Sequence, residues 1–152
     1  MSLQGFVDEL PNVLSADAGL TSWRTTHFDG KAFTVLKGNR ELSTFNARQA
    51  PAIIIEAEPG DIADTVGNYR ANFSGSVAFV IAWVDSDPDK AYTRRITLPE
   101  LVANAVINNR RLNGAVEKAM VRRYEPLDGN SSAPNVRMMR FTVNANWKVD
   151  KT

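Results

Sequence analysis

The chain is predicted to form a single α+β domain over residues 1–152, with a mostly antiparallel sheet flanked by an N-terminal helix and one main helix at about 97–110. Two observations predict this class. Strand-like segments come in blocks, with the helical patterns set apart from them instead of alternating with them. The length of 152 residues fits one domain able to bury a real core, and no internal repeat or low-complexity linker divides it.

The first element reads as a short amphipathic helix, because Leu3, Phe6, Val7, Leu10, Val13 and Leu14 recur at spacings of three and four. Pro11 is expected to end or bend it near Leu10. A loop follows at 15–21. Ser22–Phe28 and Lys31–Lys37 are then expected as two strands of a hairpin, joined by Asp29-Gly30, a preferred type I′ turn dipeptide. The stretch 38–50 is polar and turn-rich. Ala52–Ala57 is a β-branched apolar run of strand length, suited to a strand buried on both faces. After a loop at 61–68, Tyr69–Val84 reads as a long strand. Phe73, Val77, Phe79, Ile81 and Trp83 share one face, and small residues such as Ser76, Ala78 and Ala82 share the other.

Asp85–Lys90 breaks the pattern. Thr97-Leu98-Pro99-Glu100 has the form of a capping box and opens the main helix, whose apolar stripe is Leu98, Leu101, Val102, Ala105 and Val106. Asn113-Gly114 marks a turn. Residues 115–124 fit either a helix or a strand by periodicity. A polar loop at 126–134 leads to a strong last strand, in which Met139, Phe141, Val143, Ala145 and Trp147 alternate with polar residues.

Composition excludes several classes. There are no cysteines, which removes disulfides, thiolate catalysis and cysteine-built metal sites. No apolar run reaches the roughly 18 residues of a membrane helix, and the first 14 residues do not read as a signal peptide. The net charge of +1 makes no case for specific nucleic-acid binding. Its distribution is uneven, however. Residues 1–89 hold 6 Lys/Arg and 12 Asp/Glu (−6), while residues 90–152 hold 12 and 5 (+7). Such a split suits head-to-tail self-association, which closes a ring when repeated with rotation. Mixing of both signs over one folded surface is the equally available reading.

The sequence shows no assembled chemistry. His27 is the only histidine, and its predicted hairpin neighbours are Thr25 and Thr26, so a surface or interface role is expected over a catalytic one. Asp85, Asp87 and Asp89 begin like a calcium loop, but Lys90 stands where that loop needs Gly and Ile96 where it needs Glu. No phosphate loop, dinucleotide fingerprint or nucleophile elbow is present, and no cofactor or metal is expected. What remains is a set of basic pairs, Arg94-Arg95, Arg110-Arg111 and Arg122-Arg123, with Arg137 and Arg140 beyond. With Asp85, Asp87 and Asp89, the paired arginines are the candidate inter-subunit contacts.

The order of elements from about 50 to 148 resembles the tail terminator and tail completion proteins of long-tailed bacteriophages, the lambda-type tail terminator family. The resemblance lies in the strand ending Ala78-Phe79-Val80-Ile81-Ala82-Trp83, the Asp-rich break, the helix at Leu98–Val106, the turn Leu112-Asn113-Gly114, the strand ending Tyr124-Glu125-Pro126 and the strand Met139–Trp147. It implies a strand at 115–124. It also implies a non-enzymatic virion subunit that assembles as a homohexameric ring on the tail tube, with the tube protein and the head's connector or neck protein as partners. A different head–tail connector, or a small α+β enzyme or ligand-binding domain, is the alternative expectation.

Overall fold

The computed structural model describes residues 1–37, 42, 45–56, 65–66, 70–127 and 135–150. Parts of the polar stretches expected at 38–50, 61–68 and 126–134 lie outside those residues. Helix α1 spans Leu3–Ala16, capped by the Ser2 hydroxyl, which accepts from the Gly5 N–H at 2.9 Å. It does not stop at Leu10. Pro11 leaves the Val7 carbonyl without its helical donor, which costs about 3 kcal/mol. Beyond it, though, Val13 and Leu14 are buried, at roughly 1.5–3 kcal/mol each, and that burial offsets the loss.

Residues 22–28 are not a hairpin strand but most of helix α2, Ala18–Phe28. Asp17 caps it by accepting from the Leu20 N–H at 3.0 Å. Leu20 and Trp23, three apart, are buried together, a spacing that a strand would send to opposite faces. Asp29 and Gly30 do adopt positive φ (52° and 72°), as a type I′ turn requires. Here the same conformation ends a helix, with the Gly30 N–H donating back to the Arg24 carbonyl at 3.1 Å. The Arg24 side chain is buried and holds this corner. It donates to the Ser15 carbonyl at 2.9 Å and lies 4.9 Å over the Phe33 ring.

The sheet consists of β1 (Thr34–Lys37), β2 (Ala52–Glu56), β3 (Thr65–Val66), β4 (Arg70–Val84), β5 (Lys118–Pro126) and β6 (Val136–Asp150). Its order is β1-β2-β4-β6-β5, and the two-residue β3 pairs with the start of β4. Only β1–β2 is parallel, so the α+β class with a mostly antiparallel sheet holds. Residues 118–126 form a strand, which settles the ambiguous segment as the resemblance implied.

The main helix also begins earlier than expected. Helix α3 spans Pro88–Asn108, with Asp87 as its cap and Pro88 in its first turn. Thr97 and Pro99 therefore lie inside the helix. The Thr97 hydroxyl does not cap anything, and instead donates to the carbonyls of Thr93 and Arg94 at 3.1 and 3.2 Å.

All three helices cover one face of the sheet. Phe6, Leu10, Trp23, Leu98 and Val102 meet the odd-numbered face of β4 and β6, where Phe79 and Phe141 stack at 5.3 Å. On the opposite face Phe45 and Ala50 cover Ala52, Ile54, Val80, Ala82 and Met138. β2 is thus buried on both faces, as its unbroken apolar run predicts. The turn at Leu112–Gly114 anchors α1, since the Asn113 side-chain amide donates to Glu9 at 2.9 Å.

Candidate interaction surface

Helix α3 carries two apolar stripes. One, made of Ala91, Leu98, Val102, Ala105 and Val106, is buried against the sheet. The other runs Tyr92, Ile96, Pro99, Ala103, Ile107 at spacings of three and four, and so lies along one side of the helix. Tyr92, Ile96 and Ile107 are 65%, 58% and 51% exposed. Beside this stripe lies β5, an edge strand among the described residues, where Met120 and Tyr124 are 55% and 58% exposed. Two clefts of about 170 and about 430 Å³ sit between helix and strand. Both include Ala103 and Val121, so they form one continuous groove. Scattered apolar residues are ordinary, but a contiguous set along a groove marks a contact surface.

The edge of β5 is not open to simple strand addition. A bulge between Val121 and Arg123 interrupts its register with β6, Lys118 opens the strand and Pro126 closes it. Bulges, charges and proline are the devices that discourage edge pairing. Side chains, more than the backbone, are offered here.

The sequence-predicted contact residues separate into two groups. Arg110 lines one end of the groove, and Arg122 and Arg123 line the other. Arg111 is exposed in the turn beside Arg110. The second group is engaged within the chain. Asp85 is buried and paired with Arg94, whose guanidinium also sits 5.6 Å from the Phe28 ring centre. Asp87 caps α3, accepting from the N–H groups of Asp89 and Lys90 at 3.0 and 3.4 Å. Asp89 is exposed in the first turn, and Arg95 is half-buried on α3. Arg140 grips Glu56 with two bonds of 2.8 and 3.1 Å and reaches Glu125 at 3.2 Å, tying β2, β6 and β5 together on the face away from the helices. The Glu56 carboxylate holds that guanidinium even more firmly charged than usual. Tyr92, Ile96, Ile107, Met120 and Tyr124 went unrecognised in the sequence. The signal was there: with α3 started at Asp87-Pro88, the second stripe follows from spacing.

A separate open cleft of about 430 Å³ lies between α2 and α3, where His27, Thr97, Glu100 and Asn104 face one another over Trp23. His27 is on a helix, not on the expected strand, and meets Trp23 edge-on at 5.9 Å. Burial, followed by the nearby Arg94 charge, pushes its pKa below the ordinary 6.5. Among the described residues no hydrogen bond joins it to a hydroxyl or a carboxylate. No helix among them is long and apolar enough to cross a membrane.

No protein family and no curated protein matches the sequence. Among solved structures, the chain is similar to one in the virion of a native gene transfer agent particle. That likeness covers 95% of this chain and 94% of the other, at 12% identity and a TM-score of 0.47. It is a full-length likeness, but at that score it assigns no role.

Proposed function

We propose that the chain is a non-enzymatic structural protein of a tailed, phage-type virion, acting as the tail terminator. In this reading copies form a ring on the last ring of the tail tube, stop tube growth, and present the surface to which the head's neck proteins join. The observation that carries it is the α3–β5 groove, a contiguous apolar and arginine-lined surface that the fold builds and leaves uncovered. Its work is contact and geometry, without turnover. The element order shared with the tail terminators supports the same reading.

The chain's effect on tube length tests this. Tail genes from the same virion are expressed with and without it, and the tubes are measured by electron microscopy. The expected result is tubes of uniform length with the chain and overlong tubes without it. Tubes of normal length that fail to join heads would assign it to the neck instead. No effect on either would reject a role in the tail.

A further inference from the structure

Asn113-Gly114 is the only Asn-Gly dipeptide in the chain. Asparagine is chemically labile, most of all before glycine, which has no side chain to hinder attack by its own backbone nitrogen. That nitrogen attacks the asparagine Cγ, the Cγ–Nδ2 bond breaks, and ammonia leaves with the proton that the glycine nitrogen loses. Water then opens the cyclic imide at one carbonyl or the other, giving isoaspartate or aspartate. Either product puts a carboxylate where a neutral amide stood.

The turn after α3 leaves this dipeptide exposed and yet fastens it. Asn113 and Gly114 are both open to solvent, and a Cβ at Gly114 would have no atom within 4 Å. Four hydrogen bonds oppose the attack. The Asn113 side-chain NH2 donates to Glu9 Oε2 at 2.9 Å, and its Oδ1 accepts from the Asn109 amide at 2.8 Å. The Asn113 N–H donates to Asn109 Oδ1 at 3.0 Å, and the Gly114 N–H donates to the Arg111 carbonyl at 2.9 Å. An ionised carboxylate only accepts, so Glu9 fixes which end of the Asn113 amide faces it. The attacking nitrogen and the attacked carbon are thus each held by a third group.

We propose that Asn113 is a deamidation site gated by the docking of α1. While Glu9 and Asn109 hold the amide the reaction is suppressed, and it proceeds when the turn opens locally. The product does not dock again in the same way. A carboxylate at 113 has no proton to offer Glu9, so two like charges would meet at hydrogen-bond distance. Isoaspartate also lengthens the main chain within a turn whose Leu112, Asn113 and Gly114 already have φ of 46°, 58° and 89°. The tether that is lost belongs to the helix whose Phe6 packs on Trp147, with ring centres 6.4 Å apart. Modification therefore loosens α1 from the sheet, in one direction only.

The full chain is held in warm, mildly alkaline buffer, native or unfolded in urea, and peptide mass spectrometry follows conversion of amide to acid at residue 113. Native chain is expected to react at least about tenfold more slowly than unfolded chain. Glu9→Ala, with its helical signal unchanged, is expected to raise the native rate about threefold or more, and Glu9→Gln, which keeps an acceptor, to stay near the parent rate. Equal rates in native and unfolded chain, or no acceleration in Glu9→Ala, would overturn the gate. The product is tested separately by a double-mutant cycle. Asn113→Asp is expected to lower the urea midpoint in the parent chain and much less in Glu9→Gln, whose amide can donate to the new carboxylate. The same loss in both backgrounds would overturn the clash with Glu9.

Discussion

Asp85 shows how a residue chosen for its charge can be spent inside the fold. It follows β4 directly, is buried, and meets Arg94 nine residues on, so the first turns of α3 are tied to the end of the central strand. Its other oxygen accepts from the Asp87 N–H at 3.2 Å, which places the cap of the same helix. Removing one member of a buried pair strands the other charge, at a cost of roughly 3–5 kcal/mol. Asp85→Ala is therefore expected to lower the denaturation midpoint by the equivalent of about 3 kcal/mol, and Asp85→Leu with Arg94→Met to recover much of it. A loss below about 1 kcal/mol for the single change, read by urea titration, would remove the pair from the account. Arg123, by contrast, makes only an exposed pair with Glu125 at 3.3 Å, worth at most about 1 kcal/mol, and Arg122 is exposed beside it on β5.

At the scale of elements, three of the longer strands were legible because alternation has one meaning: β4 and β6 bury the odd-numbered residues that the pattern marks, and β2 is apolar on both sides. The helices were less so, since local signals there serve more than one structure. Asp29-Gly30 demands positive φ in a hairpin and at a helix end alike, so the dipeptide alone cannot choose between them. Thr97-Leu98-Pro99-Glu100 has the letters of a cap, yet tertiary burial of Ala91 ahead of it, Leu98 within it and Val102 after it carries the helix straight through. A start nine residues later leaves out Tyr92 and Ile96, two of the three exposed apolar residues of the stripe. Mutation separates the two caps. Asp87→Ala is expected to cost about 1 kcal/mol through the lost bonds to the Asp89 and Lys90 N–H groups. Thr97→Ala is expected to change stability by less than about 0.5 kcal/mol, because alanine is the better helix interior residue. The reverse order, measured by thermal or chemical denaturation, would restore the shorter helix.

For the whole molecule, the strand order matters more than any single residue. β1, β2 and β4 come from the earlier, acidic part of the sequence and β5 and β6 from the later, basic part, and the groove lined by Arg110, Arg122 and Arg123 lies at the β5 end of the sheet. The sequence shows the imbalance but not its placement, which depends on β6 inserting between β4 and β5. Under the proposed function, copies meet through this apolar, arginine-lined groove, and such a contact repeated with rotation closes a ring. Contacts between exposed charges weaken as salt shortens the screening length, from about 10 Å at 0.1 M to about 3 Å at 1 M. The most direct test is the mass of the native assembly, by light scattering with negative-stain microscopy, on the purified chain at low and moderate salt. Sixfold rings at low salt that come apart as salt rises are the predicted result. A symmetric dimer, or a monomer at every salt and protein concentration, would contradict the account.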